Sequence, residues 1–179
     1  MTTFLLVRHA EADYSGPMKW GVAGWGGDIA PLTQKGIEQV KERGPELSGF
    51  RPDIILCSSM SRAVQTVLLL REYMNDVPVS VEFDLHEWVP DRLFKWQTLD
   101  DVMAAMNEMK KSGCEWPDGK EKRWESFSMV RKRVMNVLKK YTAYERVFVL
   151  CHAVLISSII YKNRIEEVKN LEAFEYILD

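Results

Sequence analysis

The chain has 179 residues, of which 28% are charged, and a formal net charge of -2. This is the balance of one ordinary globular domain, and it argues against a large nucleic-acid footprint or a polybasic membrane anchor. The apolar runs are far shorter than the ~18 residues of a membrane span, and the start Met1-Thr2-Thr3 lacks the basic segment of a signal peptide, so we expect a cytoplasmic protein whose oligomeric state the sequence does not determine.

Hydrophobic patterns along the chain predict strands that alternate with helices. Runs of β-branched and large apolar residues indicate buried strands, and apolar residues that recur every three or four positions indicate helices. This alternation predicts a layered α/β sheet with sites beyond the carboxyl ends of the strands. In chain order the predicted elements are strand 3–7, a helix that begins after Thr33 and ends or kinks at Gly44-Pro45, strand 53–57, helix 61–74, strand 78–83, helix 99–109, helix 124–141, strand 146–151, helix 153–161 and an edge strand at 173–178.

Two irregular segments interrupt the predicted elements. The stretch from Ala10 to Pro31 is rich in glycine, and the stretch from Asp84 to Trp96 is rich in Trp, Asp and Pro. Long loops at strand ends often have a functional role. We therefore predict one domain over residues 1–179, with a specificity or lid segment at about 84–124.

Cationic and titratable side chains stand beside the predicted strand ends. His9 follows the first strand and His152 follows the last clear parallel strand, which places both on one edge of the sheet. Arg8 precedes His9, and Arg62 opens the helix that follows the second strand. Arginine forks and helix N-termini both bind phosphate oxygens well. The four residues therefore predict a site for a phosphoryl group.

Three segments around these residues resemble, in their order, the signature of the histidine phosphatase superfamily, also called the phosphoglycerate mutase-like family. They are Leu5-Leu6-Val7-Arg8-His9-Ala10-Glu11, Ser58-Ser59-Met60-Ser61-Arg62-Ala63-Val64-Gln65-Thr66 and Cys151-His152-Ala153, and Pro31-Leu32-Thr33-x-x-Gly36 is a further recurrent feature. The resemblance implies a phosphoglycerate mutase-like, three-layer α/β/α sandwich with a mostly parallel central sheet.

The resemblance also implies a reaction and a role for each residue. His9 would attack phosphorus to form a phosphohistidine, and Glu87 would be the proton donor. Arg8, Arg62 and His152 would hold the phosphoryl oxygens, with no metal or other cofactor. The predicted activity is that of a histidine acid phosphatase-type phosphoric monoester hydrolase acting on a small phosphorylated metabolite or, as a second choice, a phosphoprotein.

The chain departs from the family pattern at three positions. Ala10 replaces a glycine that most relatives carry, and Ala12 replaces a hydroxyl residue that is usual in the mutases. Ser15 stands where mutases have an asparagine that contacts phosphate, and we keep Ser15 as a candidate phosphate ligand. The short chain leaves less material to enclose a diphosphorylated sugar acid, which favours a phosphatase over a mutase.

Several alternatives stay open at this point. A mutase would return the phosphoryl group to substrate, and a non-catalytic module would bind a phospholigand without turnover. A cysteine phosphatase is disfavoured because four residues, not five, separate Cys57 from Arg62. A metallophosphatase needs a cluster of Asp, His or Asn ligands that the sequence does not suggest. An odd number of cysteines without a close pair also argues against disulfides and a four-cysteine zinc site.

Other noticeable residues have simpler interpretations. Asp84, His86 and Asp91 are alternatives to Glu87 as the proton donor because they lie in the same irregular segment. Large aromatic residues are more often part of a core than of a specificity pocket, and the basic residues of helix 124–141 are interpreted as its solvated side. The residues concerned are Trp88, Trp96, Trp116 and Trp124, and Arg131, Lys132, Arg133, Lys139 and Lys140.

Overall fold

A five-stranded sheet forms the centre of the fold. The structure is a computed structural model, and it describes residues 1–16, 24, 27–74 and 76–179. The strands lie in the order β3-β2-β4-β1-β5, and all pair in parallel except β5, which is antiparallel to β1 at the edge of the sheet. The strands are β1 (Thr2–Arg8), β2 (Ile54–Ser58), β3 (Val79–Glu82), β4 (Arg146–Cys151) and β5 (Ala173–Leu178).

Helices cover both faces of the sheet. Alternate residues of each central strand enter opposite cores. Leu5 and Val7 pack on one face with the helices of residues 34–48 and 61–70, and Phe4 and Leu6 pack on the other face with those of residues 127–139 and 153–160. Burial on both faces explains why these strands are continuous apolar runs. The predicted three-layer α/β/α sandwich is therefore confirmed. The helices are α1 (Gln34–Ser48), α2 (Ser61–Leu70), α3 (Leu99–Lys111), α4 (Phe127–Lys139) and α5 (Ala153–Ile160).

Several predicted helix boundaries differ from the structure. The helix predicted over 61–74 ends at Leu70. Helix α1, predicted to end or kink at Gly44-Pro45, does not end there but continues to Ser48 with Pro45 inside it, and Leu47 beyond the proline is buried in the core. Burial of that side chain offsets the backbone hydrogen bond that a proline removes. Helix α4 begins at Phe127, three residues later than predicted, because the Ser126 side chain accepts the N–H of Met129 and caps its first turn.

The segment from Ala10 to Pro31, predicted as a long loop, lies partly outside the described residues. Ala12 pairs with Leu32 in an isolated bridge, which ties the two ends of the segment together. Over the described part of the chain, no helix combines the length and the apolar character needed to cross a membrane.

Candidate active site

The carboxyl ends of β1 and β4 bring the two predicted histidines together. These strands pair with Arg8 opposite Cys151, so the next residues along each strand, His9 and His152, become neighbours. The backbone N–H of His9 donates to the Cys151 carbonyl over 3.0 Å, and the two imidazole rings lie 5.1 Å apart between centroids. The sheet register thus positions both rings at one edge.

The surroundings of His9 fix the proton on one ring nitrogen. Its Nδ1 lies 2.6 Å from the carbonyl oxygen of Ala10, an acceptor, so Nδ1 carries the proton. Its Nε2 accepts a hydrogen bond from Nε of Arg62 over 3.1 Å. Burial of the ring and the Arg62 charge lower the pKa of His9 from 6.5 to about 3, against the opposing hydrogen bond to Ala10. His9 is therefore a neutral imidazole whose Nε2 lone pair faces a guanidinium.

Arg62 lies in the first turn of α2 and is 3% exposed. Besides its bond to His9, it donates through Nη1 to the Gly27 carbonyl over 2.6 Å and through Nη2 to Sδ of Met60 over 2.9 Å. Its guanidinium carbon lies 5.5 Å from the ring centroid of Tyr14, which adds a cation–π contact. Tyr14 could not be predicted from the sequence, because an aromatic residue in an irregular loop gives no specific signal.

Gln65 and Thr66, at the end of the family-like segment 58–66, bind the backbone of two other segments of the site. Thr66, one turn after Arg62, is fully buried, donates to the Arg62 carbonyl and accepts the backbone N–H of Ala10. Gln65 accepts the backbone N–H of Leu32. These bonds give a structural reason for the two polar residues that follow Arg62 in the family-like segment.

Ser58 orients the second imidazole. The hydroxyl oxygen of Ser58 accepts the backbone N–H of Met60 and lies 2.8 Å from Nε2 of His152, in a hydrogen bond in which either atom can be the donor. Nδ1 of His152 is a buried atom with no partner in the described part of the chain. Burial, with the Arg62 charge, lowers the pKa of His152 well below its usual value. The ring is thus neutral, with one nitrogen that the described residues do not use.

Arg8 is the last residue of β1 and directly precedes His9. Its Nη1 donates to the Val168 carbonyl over 2.6 Å, and its Nε is buried without a hydrogen-bond partner among the described residues. The Arg8 charge contributes to the lowered pKa of His9, so the guanidinium lies within electrostatic reach of that ring. Arg8 therefore has a buried N–H, at Nε, that the described residues do not use.

Glu87 caps the helix that follows His152. Its Oε2 accepts the N–H of Val154 over 3.3 Å, and its Oε1 accepts those of Leu155 and Trp88 over 3.2 and 2.8 Å. His152, at the N-cap position of α5, offers no side-chain cap of its own. The carboxylate of Glu87 thus occupies the N-terminus of α5, next to the residue that carries the second imidazole.

An arginine of α4 holds the backbone on both sides of Glu87. Arg133 donates through Nη1 to the carbonyls of Asp84 and His86 over 2.6 and 2.8 Å, and through Nη2 to that of Glu87 over 3.3 Å. It also forms an ion pair with Glu125, and the two side chains are only 12% and 8% exposed. The interpretation of the basic run as the solvated side of α4 is therefore wrong for Arg133.

The alternatives to Glu87 have other surroundings. Asp91 is buried in an ion pair with Arg123. Burial and the Arg133 charge lower the pKa of His86, which disfavours the protonated ring that an acid would need. Asp84 contributes its carbonyl to Arg133. Among these four side chains, Glu87 is the one that binds the residues directly after His152.

A cavity of about 240 Å³ lies beside Glu87. Trp88 and Trp96 line it, so these two residues border the site, whereas Trp124 is buried in the core and Trp116 packs against that core. Ser15, the remaining candidate phosphate ligand, is exposed, and its backbone N–H donates to Asp13. Residues 17–23, 25 and 26, which belong to the glycine-rich stretch from Ala10 to Pro31, lie outside the described residues.

The described residues contain no group of three or more His, Cys, Asp or Glu side chains arranged to hold a metal ion. All three cysteines are free and buried. Burial raises the pKa of Cys57 to about 12, so this thiol stays protonated and is a poor nucleophile. The geometry therefore gives the cysteine phosphatase alternative no support.

The family model for the histidine phosphatase superfamily (branch 1) matches residues 4–176. The chain belongs to the histidine phosphatase superfamily. Among its curated relatives in the superfamily, the "Uncharacterized phosphatase PhoE" of Bacillus subtilis (strain 168) is 28% identical over 163 residues, which cover 89% of this chain and 76% of that protein. The adenosylcobalamin/alpha-ribazole phosphatase of Escherichia coli (strain K12) is 27% identical over 167 residues, covering 87% and 75%.

A solved structure of a superfamily member supports the fold. The crystal structure of a phosphoglycerate mutase from Bacillus anthracis (strain Sterne) superimposes with a TM-score of 0.70 at 17% identity, covering 97% of this chain and 86% of that one. The phosphoglycerate mutase-like fold predicted from the sequence is thus confirmed. At this level of identity the likeness concerns the fold and not the reaction.

Proposed function

We propose that this chain is a metal-independent phosphomonoesterase that transfers the phosphoryl group of a small phosphorylated metabolite to His9 and then to water. The observation that carries the proposal is the state of His9, a buried neutral ring with its proton on Nδ1 and its Nε2 lone pair beside Arg62. A neutral imidazole is the nucleophilic form of histidine. Phosphoryl oxygens would replace Nε2 as the acceptor of the Arg62 N–H groups.

The proposed reaction has two steps. In the first, Nε2 of His9 bonds to phosphorus while the P–O ester bond breaks, and Glu87 gives a proton to the leaving oxygen. In the second, water attacks the phosphohistidine, Glu87 takes a proton from that water, and the N–P bond breaks to release phosphate. General acid and base help of this kind contributes about 10² to 10⁴ in rate.

The remaining candidate residues would bind the phosphoryl oxygens. Arg62, Arg8 through its Nε–H and His152 through Nδ1–H, in the tautomer that protonates that nitrogen, each supply a donor, and Ser15 is a further candidate. Donors fixed before the reaction stabilise the charge that develops on these oxygens, and loss of one costs about 10²- to 10³-fold in rate.

Four further points support the substrate class and the setting. The Escherichia coli relative is named for small molecules, and the cavity beside Glu87 has the size of a small organic group. The segment at about 84–124 contributes Glu87, Trp88 and Trp96 to that cavity, which fits the proposed specificity role of this part of a single domain. The composition of the chain suits a cytoplasmic enzyme.

The test is hydrolysis of p-nitrophenyl phosphate by the purified protein in EDTA across about pH 5 to 8, the range in which His9 is the neutral base that the mechanism needs. We expect activity that survives EDTA, is inhibited by vanadate and falls at least ~10³-fold in His9→Ala. Enzyme quenched in alkali, in which the P–N bond of a phosphohistidine is stable, should carry phosphate on His9 by mass spectrometry. Activity that disappears in EDTA, or persists in His9→Ala, would overturn the proposal.

A further inference from the structure

Arg133 and Glu125 form a buried ion pair at the start of α4, on the side that faces the Glu87 segment. Nε of Arg133 lies 2.7 Å from Oε1 of Glu125, and Nη2 lies 3.0 Å from Oε2, so the pair is bidentate. Both side chains are almost fully shielded from water. A buried ion pair is costly to desolvate and contributes little net stability by itself. Net stability therefore does not explain why the fold contains this ion pair.

Both members of the pair bind the chain around Glu87. Arg133 bonds to the carbonyls of Asp84 and His86, which precede Glu87, and to the carbonyl of Glu87 itself. Glu125 accepts the N–H of Val89 over 3.3 Å, on its C-terminal side.

The Glu125 carbonyl adds a further bond, because it accepts the indole N–H of Trp88 over 2.6 Å. The backbone N–H of Glu125 also donates to the Val89 carbonyl over 2.9 Å. Together the two residues make six hydrogen bonds to residues 84–89.

This segment has no regular structure of its own that would fix the Glu87 carboxylate. It follows a three-residue 3-10 helix, Phe83–Leu85, and His86 and Glu87 belong to neither a helix nor a strand. A carboxylate that must reach a leaving oxygen needs a position fixed to within about 1 Å, since a misplacement of that size can cost ~10²-fold in rate. The backbone of an irregular segment supplies such precision when other elements bind it.

We propose that Arg133 and Glu125 are positioning residues that hold Glu87 where it protonates the leaving oxygen of the substrate. This inference rests on the proposed function, because it assigns no new reaction and acts through Glu87. It predicts a particular defect. Without the ion pair, the phosphoryl pocket of His9, Arg62 and His152 stays intact, but the delivery of the proton fails.

The dependence of rate on the leaving group separates this defect from a general loss of structure. The nitrophenolate ion leaves without a proton, whereas the alkoxide of an alkyl phosphate needs one. The kcat/KM of an ester reports only phosphoryl transfer to His9 and release of the alcohol, so the later attack of water does not affect the comparison. We would therefore measure kcat/KM for p-nitrophenyl phosphate and for 2-phenylethyl phosphate.

The main variant is Arg133→Lys, which keeps a positive charge beside Glu125 but cannot bond to three carbonyls and two carboxylate oxygens at once. We expect kcat/KM to fall by ~30- to 100-fold for the alkyl ester and by less than ~3-fold for the nitrophenyl ester, within the range of general acid help. Glu125→Gln is a second variant with the same expected pattern, and it preserves the shape of the side chain.

The matched control is Arg131→Lys. Arg131 lies two residues away on α4 and also combines an ion pair, to Glu115, with bonds to the carbonyls of Ser158 and Lys162, but none of these contacts involves the Glu87 segment. It should change the ratio of the two kcat/KM values by less than ~2-fold. Because Arg131→Lys removes a fork of similar kind from the same helix, it measures the effect of such a loss on the fold alone.

A double-mutant cycle with Glu87→Gln completes the test. Glu87→Gln alone should show the same selective loss on the alkyl ester, and adding Arg133→Lys should lower that rate by less than ~2-fold more, since the positioned group is already absent. If Arg133→Lys lowers kcat/KM by the same factor for both esters, or for neither, the ratio is unchanged. That result would overturn the positioning role without contradicting Glu87 as the proton donor. If Glu87→Gln itself shows no selectivity, the proton donor of the proposed function is wrong, and the inference falls with it.

Discussion

At the scale of single residues, the neutral state of His9 is a direct consequence of its contacts. Burial and the Arg62 charge lower its pKa to about 3, and the Ala10 carbonyl selects the Nδ1–H tautomer. We predict that nitrogen NMR of the ring shows an unprotonated Nε2 that does not titrate between about pH 5 and 8. The same protein unfolded in urea should titrate near pH ~6.5. A midpoint close to that value in the folded protein would contradict the prediction.

Four of the predicted site residues lie at the ends of strands or helices. Arg8, His9, Arg62 and His152 directly follow or end a strand, or open a helix, so a linear pattern predicts their common edge. The orientation of their ring nitrogens could not be predicted, because it depends on Ser58 and Ala10 contacts made in three dimensions. Arg133 was misread for a similar reason. A lone arginine on a helix looks solvated until its partner, Glu125, is found eight residues earlier.

At the scale of elements, the first turn of α1 lies unusually close to the loop after His9. A Cβ added at Gly36 would lie 2.2 Å from the backbone oxygen of Glu11, far inside van der Waals contact, and a backbone atom cannot turn away as a side chain does. We predict that Gly36→Ala lowers the free energy of unfolding by about 1–3 kcal/mol, although alanine favours a helix.

Urea denaturation measures this loss. Gln34→Ala, at an exposed position of the same helical turn, is the control and should change stability by less than ~0.5 kcal/mol. A Gly36→Ala protein as stable as the wild type would show that the loop moves away without cost.

Strands were easier to predict than the ends of helices. The edge strand β5 and the central strand β4 have the predicted bounds, because burial of both faces, or regular alternation at the edge, leaves a clear pattern. Helix α1 passes the expected stop at Pro45, since the core takes up Leu47. The local signal of a proline does not include that distant packing, so sequence alone could not weigh the two effects.

At the scale of the whole molecule, all three histidines of the chain have lowered pKa values in the folded state. Unfolded histidines bind protons near pH ~6.5, and the folded ones do so only at lower pH. The unfolded state therefore binds more protons as the pH falls below ~6.5, and stability present above that pH is progressively lost.

We predict that the free energy of unfolding falls by about 3 kcal/mol per pH unit near pH ~5.5, which is close to two protons at about 1.4 kcal/mol each, from His9 and His152. The lowered pKa of His86 adds to this loss. Urea denaturation in buffers without phosphate, from about pH 7.5 to 5, measures the slope, since bound phosphate would add a stability of its own. His86→Asn should make the slope less steep. A flat profile in this range would show that the folded histidines titrate normally.

The pairing of β1 with β4 also limits how the gene can change. His9 and His152 meet because each lies one residue beyond paired Arg8 and Cys151. Deleting one codon within either strand would shift a ring by about 3.3 Å and turn the residues of that strand towards the opposite core. Residues can be inserted or deleted with little effect in the exposed turn at 117–120. In β1 and β4, evolution can substitute a residue but cannot change the number of residues.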